Sequence, residues 1–176
     1  TVIAVPGTLT SAFLTLQLAL GAVDYLVMMF NEIPQAVRDG KTNAGLLIHE
    51  GQLTYEREGL YLVMDLGQWW FEQTHLPLPL GCNVIRRDLP PAVQQDLSRL
   101  MRASIEYSLA HRDEALDYAL EFGRGLEQSL ADTFVGMYVN EWTLDYGPAG
   151  QRAVAELLQR GHQAGLSPRV EKLVFV

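Results

Sequence analysis

Val2-Ile3-Ala4-Val5-Pro6-Gly7-Thr8-Leu9-Thr10-Ser11-Ala12 is the stretch that decides the fold class. Four apolar residues suit a short buried strand, Pro6-Gly7 closes it, and hydroxyl side chains then lead into Phe13, Leu14, Leu16, Leu18 and Leu20 at helical spacing. The order strand, tight turn, helix recurs downstream. Val23 to Phe30 reads as a second strand. Asn31 is placed to cap a short helix with Pro34 in its first turn, and Asp39-Gly40 to end it. Ala44 to Ile48 is a third strand, stopping at His49. Strands that alternate with helices imply parallel crossovers and an α/β sheet, whose ligand crevice lies off the carboxyl ends of the strands. Both the Thr8 to Ser11 turn and His49 fall at such ends.

Further along, Leu60 to Met64 and Cys82 to Ile85 read as strands and Gln68 to Thr74 as a short aromatic helix. The prolines of Leu76-Pro77-Leu78-Pro79-Leu80-Gly81 keep that run extended. From Pro90 the pattern turns helical: Val93, Leu97, Leu100, Met101 and Ser104 share one face as far as about Ala110. Asp113 to Phe122, Glu127 to Val139 and Pro148 to His162 are further helices, separated by Gly123-Arg124-Gly125 and Asp145-Tyr146-Gly147. Residues 1–110 therefore read as an α/β lobe carrying the site, and residues 111–176 as a helical part of another lobe.

Composition narrows the function classes. With 48% hydrophobic and 19% charged residues the chain has ample apolar surface for a core. A formal charge of −8, from 13 Lys+Arg against 21 Asp+Glu, leaves no electrostatic footprint for nucleic acid. The longest apolar runs, Ala12 to Leu20 and Leu26 to Phe30, are far shorter than the ~20 residues of a membrane helix. One cysteine, Cys82, excludes an internal disulfide framework and fits a reducing compartment.

Few residues carry chemistry. The helix start at Thr10-Ser11-Ala12 offers free backbone N–H groups and hydroxyls to an anionic or polar group, although a helix cap alone explains such hydroxyls as well. His49, just past the apolar run Leu46-Leu47-Ile48, titrates near neutrality and suits proton abstraction; taken alone, a histidine at a strand end is also an ordinary structural hydrogen-bonder. His75, His111 and His162 have no partner at metal-ligand spacing, so no metal is expected. Trp69-Trp70 can stack an aromatic ligand, but adjacent tryptophans on a short helix more often place one ring in the core. Arg86-Arg87-Asp88 can hold a carboxylate or form a solvated edge. No P-loop, Gly-x-Gly-x-x-Gly or Gly-x-Ser-x-Gly pattern occurs, which removes support for nucleotide hydrolysis, dinucleotide redox chemistry and the commonest serine-hydrolase design.

Several motifs in one order resemble the 1,4-dihydroxy-6-naphthoate synthase family of the futalosine route to menaquinone. They are Val5-Pro6-Gly7 with Thr10-Ser11-Ala12, Gly45-Leu46-Leu47-Ile48-His49-Glu50 with Thr54-Tyr55, Asp65-Leu66-Gly67-Gln68-Trp69-Trp70, Leu76-Pro77-Leu78-Pro79-Leu80-Gly81 and Arg86-Arg87-Asp88-Leu89. Tyr138-Val139-Asn140 and Leu144-Asp145 extend the similarity over nearly the whole chain. The resemblance implies a two-lobed fold like that of the type II periplasmic binding proteins. It implies a cytoplasmic carbon-carbon lyase without a cofactor, acting on the small molecule cyclic dehypoxanthinylfutalosine, and it is compatible with a homodimer. His49 corresponds to the family's proton acceptor, and Ser11 and Ala12 to the pair that contacts substrate, with Thr10 beside them. The family more often has threonine where this chain has Ser11, so a hydroxyl is retained.

Two rivals share that fold: chorismate dehydratase of the same pathway, whose corresponding strand end lacks the His-Glu pair, and a solute-binding protein that captures without chemistry. The chain opens on a strand at Thr1, so the N-terminal part of the first lobe is expected to lie outside it. On that expectation the later helices, with Leu116, Leu120, Phe134, Met137, Val154, Leu157 and Leu158, are left with an exposed apolar patch.

Overall fold

β1 (Val2–Val5) is flanked on both sides by parallel strands, β2 (Asp24–Val27) and β3 (Ala44–Gly45), in a computed structural model that describes residues 1–122 and 127–176. The order is β2-β1-β3, with Ile3 opposite both Tyr25 and Ala44, and Ala4 opposite Leu26 and Gly45. A central parallel strand is covered on both faces, and Ile3, Ala4 and Val5 are buried accordingly. The protein is thus α/β, with a small parallel sheet and mostly helices.

The two faces of β1 are covered differently. Ile3 and Val5 join Phe13 and Leu16 of α1 (Ser11–Leu20) and Leu46 in one apolar cluster, with Leu66 of α4 (Leu66–Thr74) packed against it. On the other face α2 (Ile33–Arg38) lies across β1 and β3. The register pair Ala4–Gly45 makes room for it: a Cβ on Gly45 would overlap Ile33 Cγ2 and come within 3.2 Å of Val37 Cγ2. No side chain caps α2. Asn31, expected in that role, lies instead in a 3₁₀ turn, Phe30–Glu32, that runs directly into the helix.

The chain folds as two compact units, Thr1–Leu80 with Ala149–Glu171, and Gly81–Pro148 with Lys172–Val176. The first holds the sheet, α1, α2, α3 (Gly51–Thr54), α4 and nearly all of α9 (Gly147–Gln163). Trp70 of α4 is fully buried there, its indole Nε1 donating to the Pro77 carbonyl at 3.1 Å, while the Arg160 guanidinium of α9 lies 5.4 Å from the ring centroid. Packing, the ordinary role of such a pair, is the role Trp70 takes. α4 begins two residues earlier than its apolar pattern suggests, because the Asp65 carboxylate accepts from the N–H groups of Gly67 and Gln68 at 2.8 and 3.0 Å.

The second unit is α5 (Pro91–Ala110), α6 (Arg112–Leu120), α7 (Gln128–Tyr138), α8 (Glu141–Leu144) and the C-terminal tail. α6 and α7 are joined by Arg112, whose Nε and Nη2 donate to the Asp132 carboxylate and carbonyl at 2.6 and 2.8 Å. α8 is a single turn fixed by a capping box between Asn140 and Thr143. The Gly123-Arg124-Gly125 break lies outside the described residues.

Three sequence expectations are corrected. Leu60 to Met64 and Cys82 to Ile85 are not strands: Tyr61, Val63 and Val84 are 87–90% exposed, and neither run pairs with the sheet. A strand exists through its ladder, and β propensity alone supplies none. β3 is two residues long rather than five, although Leu46 N–H still reaches the Ala4 carbonyl at 2.8 Å. The stripes of the later helices are not left uncovered as a set: Leu116 and Leu157 are 5% and 6% exposed, and α9 buries Gly150, Ala153, Leu157 and Gly161 along one face. Gly161 packs where a Cβ would meet Leu14 of α1 at 3.2 Å, so α9 has a partner within its own unit. The compact units of this chain are bounded at Leu80–Gly81, Pro148–Ala149 and Glu171–Lys172.

Candidate functional site

Because the strands are parallel, their carboxyl ends lie on one edge of the sheet, and the three segments that leave them carry the candidate residues. From β1 the chain turns through Pro6–Leu9 into α1. Thr10 is the N-cap: its Oγ1 accepts from the Phe13 N–H at 3.1 Å and donates to the Gly7 carbonyl at 3.3 Å. Ser11 opens the helix and its Oγ donates to the Leu80 carbonyl at 2.6 Å, tying the Pro77–Leu80 segment to the turn. Ala12 packs against the apolar cluster through its side chain. The hydroxyl proton of Ser11 is therefore directed to Leu80, while its oxygen keeps lone pairs to accept with. A ligand at this turn meets helix N–H groups, favourable to negative charge.

From β3 the chain runs through Leu46–Ile48 to His49, which is exposed and whose backbone φ is 58°. Left-handed backbone is uncommon for a residue with a Cβ, costing about 1–2 kcal/mol. The other such residue among the described ones, His75 at φ 55°, has a local cause: it is the C-cap of α4, its N–H donating to Phe71 O at 2.7 Å. His49 terminates no helix. It precedes α3, and its carbonyl accepts from Gln52 N–H at 3.3 Å. Strain held without a helix end to explain it is characteristic of functional positions.

From β2 the chain reaches Phe30, whose ring lies 4.5 Å from the His49 imidazole, centroid to centroid, tilted 45°. In the sequence Phe30 reads as the last residue of a strand, with no role of its own. Its one signal is a position off a carboxyl end, like that of His49, but only the register of β2 and β3 on β1 brings the two rings together.

The parallel strands thus bring Thr10, Ser11 and His49 to one end of the sheet and add Phe30. In the second unit the Arg86 guanidinium is occupied by a two-pronged pair with Asp88, and Arg87 donates to the Lys172 carbonyl at 3.3 Å. Hydrogen bonding from Arg86 holds the Asp88 carboxyl below the usual carboxylate range. Among the described residues no group of three or more His, Cys, Asp or Glu side chains is placed to hold a metal ion, and no helix is long and apolar enough to cross a membrane.

Residues 1–163 match the family described as Menaquinone biosynthesis. The chain belongs to it. The chain is 40% identical over 174 residues to a 1,4-dihydroxy-6-naphthoate synthase of Thermus thermophilus, covering 99% of this chain and 64% of that protein. It is 37% identical over 172 residues to the Streptomyces coelicolor enzyme of the same name, covering 94% of this chain and 61% of that protein. A crystal structure of an Archaeoglobus fulgidus protein superposes with a TM-score of 0.90 at 46% identity, over 94% of this chain and 63% of the other. The chain spans less than two thirds of the length of each.

Proposed function

We propose that this chain carries the catalytic base and a substrate-binding turn of a 1,4-dihydroxy-6-naphthoate synthase, a carbon-carbon lyase of menaquinone biosynthesis. The observation that carries the proposal is the convergence of a strained histidine and a hydroxyl-lined helix start at one end of a parallel sheet, in a chain 40% identical to a synthase of that name. The substrate would be cyclic dehypoxanthinylfutalosine. His49 accepts a proton from it, the electron pair released drives carbon-carbon bond breakage and aromatisation, and a small sugar-derived fragment leaves. Ser11, Thr10 and the N–H groups beside Ala12 hold a polar or anionic part of the substrate, oriented so that the proton to be removed faces the imidazole.

The same reading takes the fold as two-lobed and similar to the type II periplasmic binding proteins. It places residues 1–110 in the second lobe and residues 111–176 in the helical part of the first, with the enzyme working in the cytoplasm. The parallel sheet with its site off the carboxyl ends supports that fold. Assembly as a homodimer belongs to the same proposal.

The test is turnover of cyclic dehypoxanthinylfutalosine by the protein expressed from its whole coding sequence, with His49→Ala alongside. Release of 1,4-dihydroxy-6-naphthoate by the unaltered protein only is the expected result. Dehydration of chorismate instead, or tight binding without turnover in either form, would assign the chain to another activity.

A further inference from the structure

We propose that Phe30 is a positioning residue, holding the His49 imidazole in its working orientation; the proposal rests on the reading of His49 as the base. The two rings come from opposite sides of the sheet. Phe30 follows β2 and His49 follows β3, and these strands flank β1, so the ring contact spans the carboxyl end of the middle strand, a distance of two strand spacings, ~9–10 Å. Both backbones are anchored on β1 just before they part from it: Met28 N–H donates to the Val5 carbonyl at 3.1 Å and Leu46 N–H to the Ala4 carbonyl at 2.8 Å.

Beyond those anchors each segment is held by its own turn. Glu32 N–H bonds to the Met29 carbonyl at 2.9 Å and Gln52 N–H to the His49 carbonyl at 3.3 Å. The imidazole itself extends from an exposed left-handed residue. The Phe30 ring packs against it at 4.5 Å and 45° and narrows its choice of rotamer. A base must sit within hydrogen-bond reach of its proton, so freeing the ring lowers the fraction of bound enzyme that reacts while leaving the contacts that bind substrate in place. The effect therefore belongs in kcat rather than KM.

The experiment compares Phe30→Leu, which keeps apolar bulk but loses the ring, with Phe30→Tyr, which keeps the ring. Both are made in the protein expressed from its whole coding sequence and followed by turnover and by NMR of the His49 imidazole protons. In Phe30→Leu we expect kcat to fall about 10–100-fold, with KM within about twofold. The His49 ring resonances should shift as the aromatic ring current is lost, and Phe30→Tyr should restore both readouts. Unshifted His49 resonances, a kcat that stays at the parental value, or a change confined to KM would each overturn the positioning role. Full turnover by His49→Ala is a separate failure, that of the base assignment, which the NMR comparison distinguishes because it needs no activity.

Discussion

Ser11 Oγ donates to the Leu80 carbonyl oxygen at 2.6 Å, across 69 residues of sequence, at the first turn of α1. This hydroxyl holds the Pro77–Leu80 segment to the helix start, and under the proposed function its oxygen also contacts substrate. Substitution separates the two roles. Ser11→Ala should destabilise the protein by about 0.5–1.5 kcal/mol, as expected for one hydrogen bond, and raise KM more than it lowers kcat. Ser11→Thr keeps the hydroxyl and should restore both. Denaturant unfolding combined with steady-state kinetics on the two variants checks the expectation; wild-type stability in Ser11→Ala would show that the tether contributes nothing.

Gly45 is small because Ile33 and Val37 of α2 lie against it, on the face of the sheet opposite α1. Gly45→Ala should lower stability by about 1–3 kcal/mol, the usual range for overpacking a fitted interior. Ile33→Ala leaves a cavity and is also destabilising. Combined, the two should cost less than their sum, since the new methyl occupies space the isoleucine vacated. Additive losses in a double-mutant cycle would place the strain elsewhere.

Asp88 carries a pH prediction. Hydrogen bonding from Arg86 lowers its carboxyl pKa in the folded protein. A depressed carboxylate adds stability above its unfolded pKa and loses it as pH falls through the folded value. The pair is exposed, so the effect on stability is small. The titration itself is the sharper readout: Arg86→Gln should move the Asp88 midpoint up toward the ordinary aspartate value, seen by carboxyl ¹³C NMR. An unmoved midpoint would remove Arg86 as the cause.

What is legible in the sequence is whatever local pattern fixes. Val2–Val5 announces a buried strand, the hydroxyls at Thr10-Ser11 a cap, and α5, α6, α7 and α9 match their sequence patterns to within a few residues at their ends, whereas the single turn α8 carries no such pattern. His49 stands out as a candidate because the segment leaving a strand end in an α/β sheet is a recognisable place. Non-local pairing is not legible. Leu60–Met64 has the composition of a strand and stays outside the sheet, and Phe30 meets His49 only through the register of two strands on a third. The tether from Ser11 to Leu80 is of the same kind, since the prolines predict an extended run and not where it lies. The left-handed turn at His49 is hidden too, because histidine, unlike glycine, does not advertise it.

That turn supports the last prediction. Two histidines, His49 and His75, hold left-handed backbone, and glycine adopts this conformation without the clash a Cβ brings. Replacing either by glycine should therefore leave stability unchanged or raise it by up to about 1 kcal/mol, the relief of strain offset by the greater freedom of glycine in the unfolded chain. A β-branched residue should act in the opposite sense, with His49→Val losing about 1–2 kcal/mol. Turnover should divide the two sites. His75 ends α4 and its ring packs edge-on to Phe71, so His75→Gly should keep its activity. His49→Gly should lose about 10²–10⁴-fold in kcat at undiminished stability, the loss expected for removal of a general base. A stability gain with activity lost at one histidine and kept at the other would identify His49 as strained for function. Equal activity in both glycine variants would mean that the turn at His49 serves the chain path alone.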